Sequence, residues 1–205
     1  NCAVDTVFSI APASFPIGST DVLWIAIDIY GNSDTCVQQV VVTDPEPPVI
    51  SCPPDLNVST DPNSCFASGL NLGTPTSSDN CGTPVITNDA PLQFPVGVTL
   101  VNWLVTDSSG NTSTCVQQVT VADLIPPVMQ CPSDVISGTD PGSCSATGVA
   151  LGTPVATDNC GIATITNNAP AVFPIGSTSI LWIATDLYGN ADSCTQNVSI
   201  ADLEP

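Results

Sequence analysis

The chain has 205 residues, with 19 Asp and Glu, no Lys, Arg or His, and a formal charge of −19. Without His or Lys there is no ordinary general base for a nucleophile and no imidazole for a zinc ion. Without any cation there is nothing to hold phosphate or nucleic acid, and the net charge repels both. Charged residues make up only 9% of the chain, against about 25% in an average soluble protein, so Ser, Thr, Asn and Gln must cover the surface. No apolar run has the length of a membrane span, so no direct membrane insertion is expected. No leader segment is visible either, so export has to be inferred from other features.

In chain order, Asn1-Cys2 leads to Phe15-Pro16, an apolar run around Trp24, a Tyr-Gly-Asn turn and a second run through Cys36 to Asp44. The Pro-rich stretch TDPEPPVISCP follows, and the same order returns with Cys52, Cys65, Asp79-Asn80-Cys81-Gly82, Phe94-Pro95, Trp103 and Cys115. After ADLIPPVMQCP it returns again with Cys131, Cys144, Asp158-Asn159-Cys160-Gly161, Phe173-Pro174, Trp182 and Cys194. The step is 79 residues at every matched position, which marks duplication of one unit. A unit of that size suits a small sandwich with its own core better than a solenoid turn. The second copy predicts a strand from Thr99 to Thr106, a Ser-Gly-Asn turn, and a strand from Thr114 to Ala122. With 20 Pro, 14 Gly and no helical periodicity, the fold class is all-β, as tandem β-sandwich domains. The Pro-rich stretches read as short, stiff connections. The expected domains are a partial one (1–44), two complete ones (45–123 and 124–202) and the start of a next linker (203–205). A chain opening in mid-repeat is expected to be a window on a longer repeat protein.

The order CP, C, DNCG, FPxGxT, a strand with a central aromatic, DxxGN, TC and a strand ending in V-x-D resembles the HYR domain, or hyalin repeat, over essentially the whole chain. The resemblance implies an immunoglobulin-like sandwich, repeated in tandem in extracellular adhesion and surface proteins, with no catalysis. The strand aromatic is Trp here, where the family more often has Tyr.

Four cysteines per complete repeat allow three pairings, and the residues themselves do not choose among them. A thiolate beside Asp79 with no positive neighbour would have its pKa raised, which disfavours an activated nucleophile. Even numbers of regularly spaced cysteines argue for an oxidising compartment, extracellular or at the cell surface. The family resemblance implies Cys52–Cys115 and Cys65–Cys81, then Cys131–Cys194 and Cys144–Cys160, each bond inside its own repeat. Cys2 and Cys36 would find partners before residue 1, on another molecule, or in each other, and the first of these is preferred.

An immunoglobulin-like sandwich brings the DNCG loop, the last hairpin and the entering linker to one end. Asp44, Glu46, Asp79 and Asp107 then converge at one junction, and Asp123, Asp158 and Asp186 at the next. Oxygen-only ligands of this kind suit Ca²⁺. The same residues equally suit turn caps, bonding nearby backbone N–H groups. Asn57, Asn111 and Asn197 begin Asn-x-Ser/Thr sequons and are candidate glycosylation sites.

Alternation along the Trp strands points Val101, Trp103 and Val105 inward. The opposite face, expected to be polar, carries Leu23, Ile25, Ile27, Leu104, Leu181 and Ile183. Either the same domain covers these side chains or they pack laterally on another subunit. The expected function is structural: an extracellular tandem-repeat fibre, stalk or surface-layer filament, stiffened by disulfides and interdomain calcium. Its partners would be copies of itself or further repeats, and glycans. The alternative is a cell-surface adhesin whose loops bind glycan or protein. An enzyme is not expected, although an acid pair such as Asp158 and Asp186 has the groups for glycoside chemistry.

Overall fold

A computed structural model describes residues 3–203, so Cys2 lies outside the described residues. Among these there are nineteen strands and no helix. The first three are β1 (Val4–Ile10), β2 (Gly18–Asp28) and β3 (Ser33–Val42). The second repeat supplies β4 (Val49–Ser51), β5 (Leu56–Ser59), β6 (Phe66–Ser68), β7 (Thr76–Ser78), β8 (Val85–Asn88), β9 (Gln93–Pro95), β10 (Gly97–Thr106) and β11 (Thr112–Ala122). The third supplies β12 (Val128–Gln130), β13 (Val135–Gly138), β14 (Ser145–Thr147), β15 (Val155–Thr157), β16 (Ile162–Asn167), β17 (Val172–Pro174), β18 (Gly176–Asp186) and β19 (Ala191–Ala201). The predicted strands 99–106 and 114–122 are β10 and β11, each running two residues further toward the amino terminus.

The chain forms two compact units. One is Asn1–Cys52, Thr74–Asn88 and Asn102–Cys115, and the other is Pro53–Gly73, Asp89–Val101 and Val116–Pro205, with the boundary falling inside β10 and β11. In the first unit β1-β2-β3 form an antiparallel sheet, β4 pairs with β7, and β8 pairs with the end of β10. In the second unit β5 runs parallel to the end of β11, β6 pairs with β9, and the third repeat is complete.

That third repeat shows why the sequence makes a sandwich. Its main sheet has the order β13-β19-β18-β16, and two short ribbons, β12-β15 and β14-β17, complete it. Along β18 the alternation places Ile180, Trp182 and Ala184 inside, with Leu181 and Ile183 outside. Along β19 Gln196, Val198 and Ile200 point in and Asn197 points out. Ile180, Trp182, Val198 and Ile200 pack on Phe173 and Ala146 from the ribbon β14-β17, with Met129, Cys131 and Leu151 around them. Burial of an aliphatic side chain such as Ile180 contributes about 2 kcal/mol.

A polar side chain lies in this core, at a position that alternation from Cys194 points inward. Gln196 is fully buried. Its Oε1 accepts from Trp182 Nε1 at 3.1 Å, while its Nε2 donates to the carbonyls of Ser133 at 2.7 Å and Leu151 at 2.8 Å. A buried amide is tolerated only when its bonds are made, so Gln196 pins two loops to the sheet. Gln117 does the same, donating to the carbonyls of Pro54 at 2.7 Å and Leu72 at 3.0 Å. Gln38, Gln117 and Gln196 recur at the 79-residue step, a signal open to the sequence.

The disulfides correct the expected pairing. Cys52 is bonded to Cys115 and Cys131 to Cys194. Cys65, however, is bonded to Cys160, and Cys81 and Cys144 are free thiols, as is Cys36. The bonds Cys65–Cys81 and Cys144–Cys160 do not form. The reason is the direction each loop faces. Asn159, in the DNCG loop of the third repeat, donates to Thr60 Oγ1 and to the carbonyl of Ser64, both at 3.2 Å. The DNCG loop thus meets the turn 61–66 of the preceding repeat. Cys144 sits in the matching turn of the third repeat, closed by Asp140 and Ser145.

Candidate functional site

The acids concentrate where a linker, a DNCG loop and a hairpin turn meet. The hairpin is built first, by its sequence. In the run Asp186–Asn190 the Asp186 Oδ1 accepts the backbone N–H of Tyr188 and of Asn190, both at 2.8 Å. Asn190 Nδ2 donates to Asp186 Oδ2 at 2.7 Å, and onward to the carbonyl of Asp123 at 3.1 Å. Gly189 takes the left-handed turn position, φ 94°, that a side chain would resist. Asp107, Gly110 and Asn111 repeat the arrangement, with Asn111 Nδ2 donating to the carbonyls of Asp44 at 2.9 Å and Glu46 at 3.2 Å. Each hairpin therefore clamps the linker that enters its repeat.

Burial is the largest influence on both Asp186 and Asp107 and pushes each pKa up. The side-chain bond from the paired Asn and the backbone N–H groups of the turn outweigh it, so both carboxyls end below their ordinary value. Asp28, in the matching turn of the first repeat, is also lowered, first by the side-chain bond from Asn32 and then by its backbone N–H.

Among the described residues two clusters form around these clamps, each with its ligand atoms within 4.8 Å of one another. One joins Asp123, Asp158 and Asp186, and the other joins Asp44, Asp79 and Cys81. In the first of these, Asp123 is 5% and Asp186 2% exposed. Asp123 Oδ1 accepts from Thr60 Oγ1, the Ile125 N–H and Asn159 Nδ2, at 3.2 to 3.3 Å. Asp158 Oδ1 accepts from the N–H groups of Cys160 at 2.8 Å and Gly161 at 2.9 Å. The second oxygens of Asp123 and Asp158, and Asn159 Oδ1, are buried with no hydrogen-bond partner.

The other cluster has a different composition from the one expected. Glu46 is exposed and takes a bond from Asn80 Nδ2 at 3.0 Å, while Asp107 spends its oxygens on its own turn. Neither joins the cluster, and the free thiol of Cys81 does. Burial raises the Cys81 pKa most, and a hydrogen bond to Asp44 together with the charges of Asp44, Asp79 and Asp107 raises it further. Asn111 opens a sequon, yet its amide nitrogen, where a glycan would attach, is engaged in the clamp. Asn190 performs the same clamp without a sequon, so the structure reads Asn111 as a junction residue. Asn57 and Asn197 are exposed on β5 and β19. Thr60 and Asn159 were not singled out from the sequence, because their role depends on contact with another repeat.

On the outer face, Leu181 and Ile183 are 40% and 37% exposed and Leu104 is also exposed, so their own repeats do not cover them. Leu23, Ile25 and Ile27 are half-buried.

Repeats of this kind define a class. The HYR domain matches residues 43–121 and 122–200, and the chain belongs to that family. Over 93% of its length it is 33% identical to Hyalin of Strongylocentrotus purpuratus, of which the match spans 17%. It is 32% identical over 92% of its length to Hyalin of Lytechinus variegatus, spanning 38% of that protein. It is also 32% identical over 83% of its length to the Sushi, von Willebrand factor type A, EGF and pentraxin domain-containing protein 1 of Rattus norvegicus, spanning 5% of it. The chain thus corresponds to well under half of each relative. Among solved structures, protocadherin gamma B2 extracellular cadherin domains 3-6 are similar with a TM-score of 0.40 and 14% identity, covering 91% of this chain and 59% of that one. Drosophila N-cadherin EC1-4 is similar with a TM-score of 0.41 and 10% identity, covering 91% and 59%. The family is one of extracellular or cell-surface, adhesion-type repeats, and this chain is a tandem array of them.

Proposed function

We propose that the chain is a segment of an extracellular structural array, a fibre, stalk or surface-layer filament, whose successive repeats are locked together by a disulfide across each junction. The observation that carries this reading is the bond between Cys65 of the second repeat and Cys160 of the third. At the 79-residue step Cys81 takes the position of Cys160, and Cys144 that of Cys65. Their free thiols are the halves that repeats on either side would engage in the same bond. No catalytic role is proposed, because the chain has no Lys, Arg or His to work with its acids.

Lateral growth is proposed through the outward face of the Trp strands, with other copies of the chain as partners. Contiguous apolar surface of this kind usually marks an interface. Substituting Leu181→Thr and Ile183→Thr keeps the strand pattern and removes the exposed apolar side chains of β18. In sedimentation velocity the unaltered chain should associate with rising concentration and the double variant should not, with equal circular dichroism. A chain that stays monomeric at every concentration would remove the lateral part of the proposal.

A further inference from the structure

We propose that Asp123, Asp158 and Asp186 form a Ca²⁺ site that ties the linker, the DNCG loop and the last hairpin of the third repeat into one rigid junction. Three carboxylates lie with ligand oxygens within 4.8 Å of one another, two of them more than nine-tenths buried. Buried charge of one sign needs a counter-charge, and the chain has no Lys, Arg or His to supply one. Hydrogen bonding leaves Asp123 Oδ2 and Asp158 Oδ2 unpartnered and buried, a costly state for a carboxylate and the state a metal ligand must be in.

The chemistry of the donors favours calcium. Calcium is a hard cation that takes carboxylate, amide and carbonyl oxygens in flexible, irregular geometry, which suits three carboxylates drawn from a linker, a loop and a hairpin. Magnesium demands near-ideal octahedral geometry and keeps several of its waters, which a site with two buried carboxylates does not suit. The donors are all hard oxygen, because the nearby sulfur of Cys160 is held in its disulfide. The cluster of Asp44, Asp79 and Cys81 differs on that point, since a thiol hydrogen-bonded to Asp44 stands among its ligand atoms. The site at Asp123 should therefore be the stronger of the two. It assigns a ligand to residues of one repeat junction and stands whether or not the chain forms filaments.

The test uses the whole chain, stripped of metal with EGTA, and calorimetric titration with CaCl₂ and separately MgCl₂. Binding of Ca²⁺ at least 10-fold tighter than Mg²⁺ is expected, with a rise in thermal midpoint, because a ligand of the folded state stabilises it. Asp158→Asn keeps the oxygen that caps the Cys160 and Gly161 N–H groups and removes the charge, and should weaken Ca²⁺ at least 10-fold. Asp44→Asn should leave the tight site unchanged. No Ca²⁺ binding by the folded chain, equal Mg²⁺ binding, or unaltered affinity in Asp158→Asn would overturn the assignment. Should that variant fail to fold, the Ca²⁺ and Mg²⁺ titrations of the unaltered chain still decide.

Discussion

Replacing both Cys65 and Cys160 by Ser removes the junction staple without leaving an odd thiol. The bonded residues are 95 apart in sequence, but the bond Cys52–Cys115 shortens the path between them to 13 residues (65 to 52) plus 45 (115 to 160). Through that cross-link the loop that the staple closes is about 60 residues long, for which chain entropy gives about 4 kcal/mol as an upper figure. The Asn159 bonds to Thr60 and Ser64 survive the change, so the loss falls on the constraint and not on the contact surface. Urea unfolding without reductant, followed by tryptophan fluorescence, should show a lower midpoint for the double variant. The controls separate the two pairings. Cys81→Ser and Cys144→Ser should each change stability by less than about 0.5 kcal/mol, as expected of free, substitutable positions. If Cys81→Ser destabilises as much as Cys65→Ser, the bond runs within the repeat and the junction staple is wrong.

Removing the buried amide in Gln196→Leu should cost about 3 kcal/mol by urea unfolding, since it strands the carbonyls of Ser133 and Leu151; a neutral result would mean that water replaces the amide. The hairpin acids set an acid limit. Asp28, Asp107 and Asp186 have folded pKa values below the ordinary 3.8, so their stabilisation is complete above about pH 5 and fades as pH falls below about 4 through the lower folded values. Thermal midpoints measured against pH should fall on the acid side, and Asn32→Ala should reduce the part due to Asp28. Among the free thiols, Cys36 and Cys144 are exposed while Cys81 is half-buried with a raised pKa. A maleimide should label Cys81 at least 10-fold more slowly than the other two, and equal rates would contradict its placement beside Asp44.

Much of this architecture is legible in the sequence because it is local or periodic. The alternation in Gly97–Thr106 forecasts which side chains go inside, and Val101, Trp103 and Val105 are buried. The DxxGN spacing carries its own turn, so the positions of Asp107 and Asp186 follow from a few neighbouring residues. The staple is different in kind. Cys65 and Cys81 are close in sequence and invite pairing, yet their loops face opposite neighbours, a fact that only the relation of one repeat to the next decides. The same cause hid Thr60 and Asn159. The alternation from Cys194 also places Gln196 and Val198 inward and Asn197 outward, as found. What it does not show is which carbonyls the buried amide meets, because those lie on distant loops.

If these repeats are links of a continuous extracellular array, electron microscopy of the native material in negative stain should show long filaments of regular axial repeat, shortened or broken by reductant. Dispersed short particles, unchanged by reductant and no longer than a single chain, would mean that the repeats do not form an array.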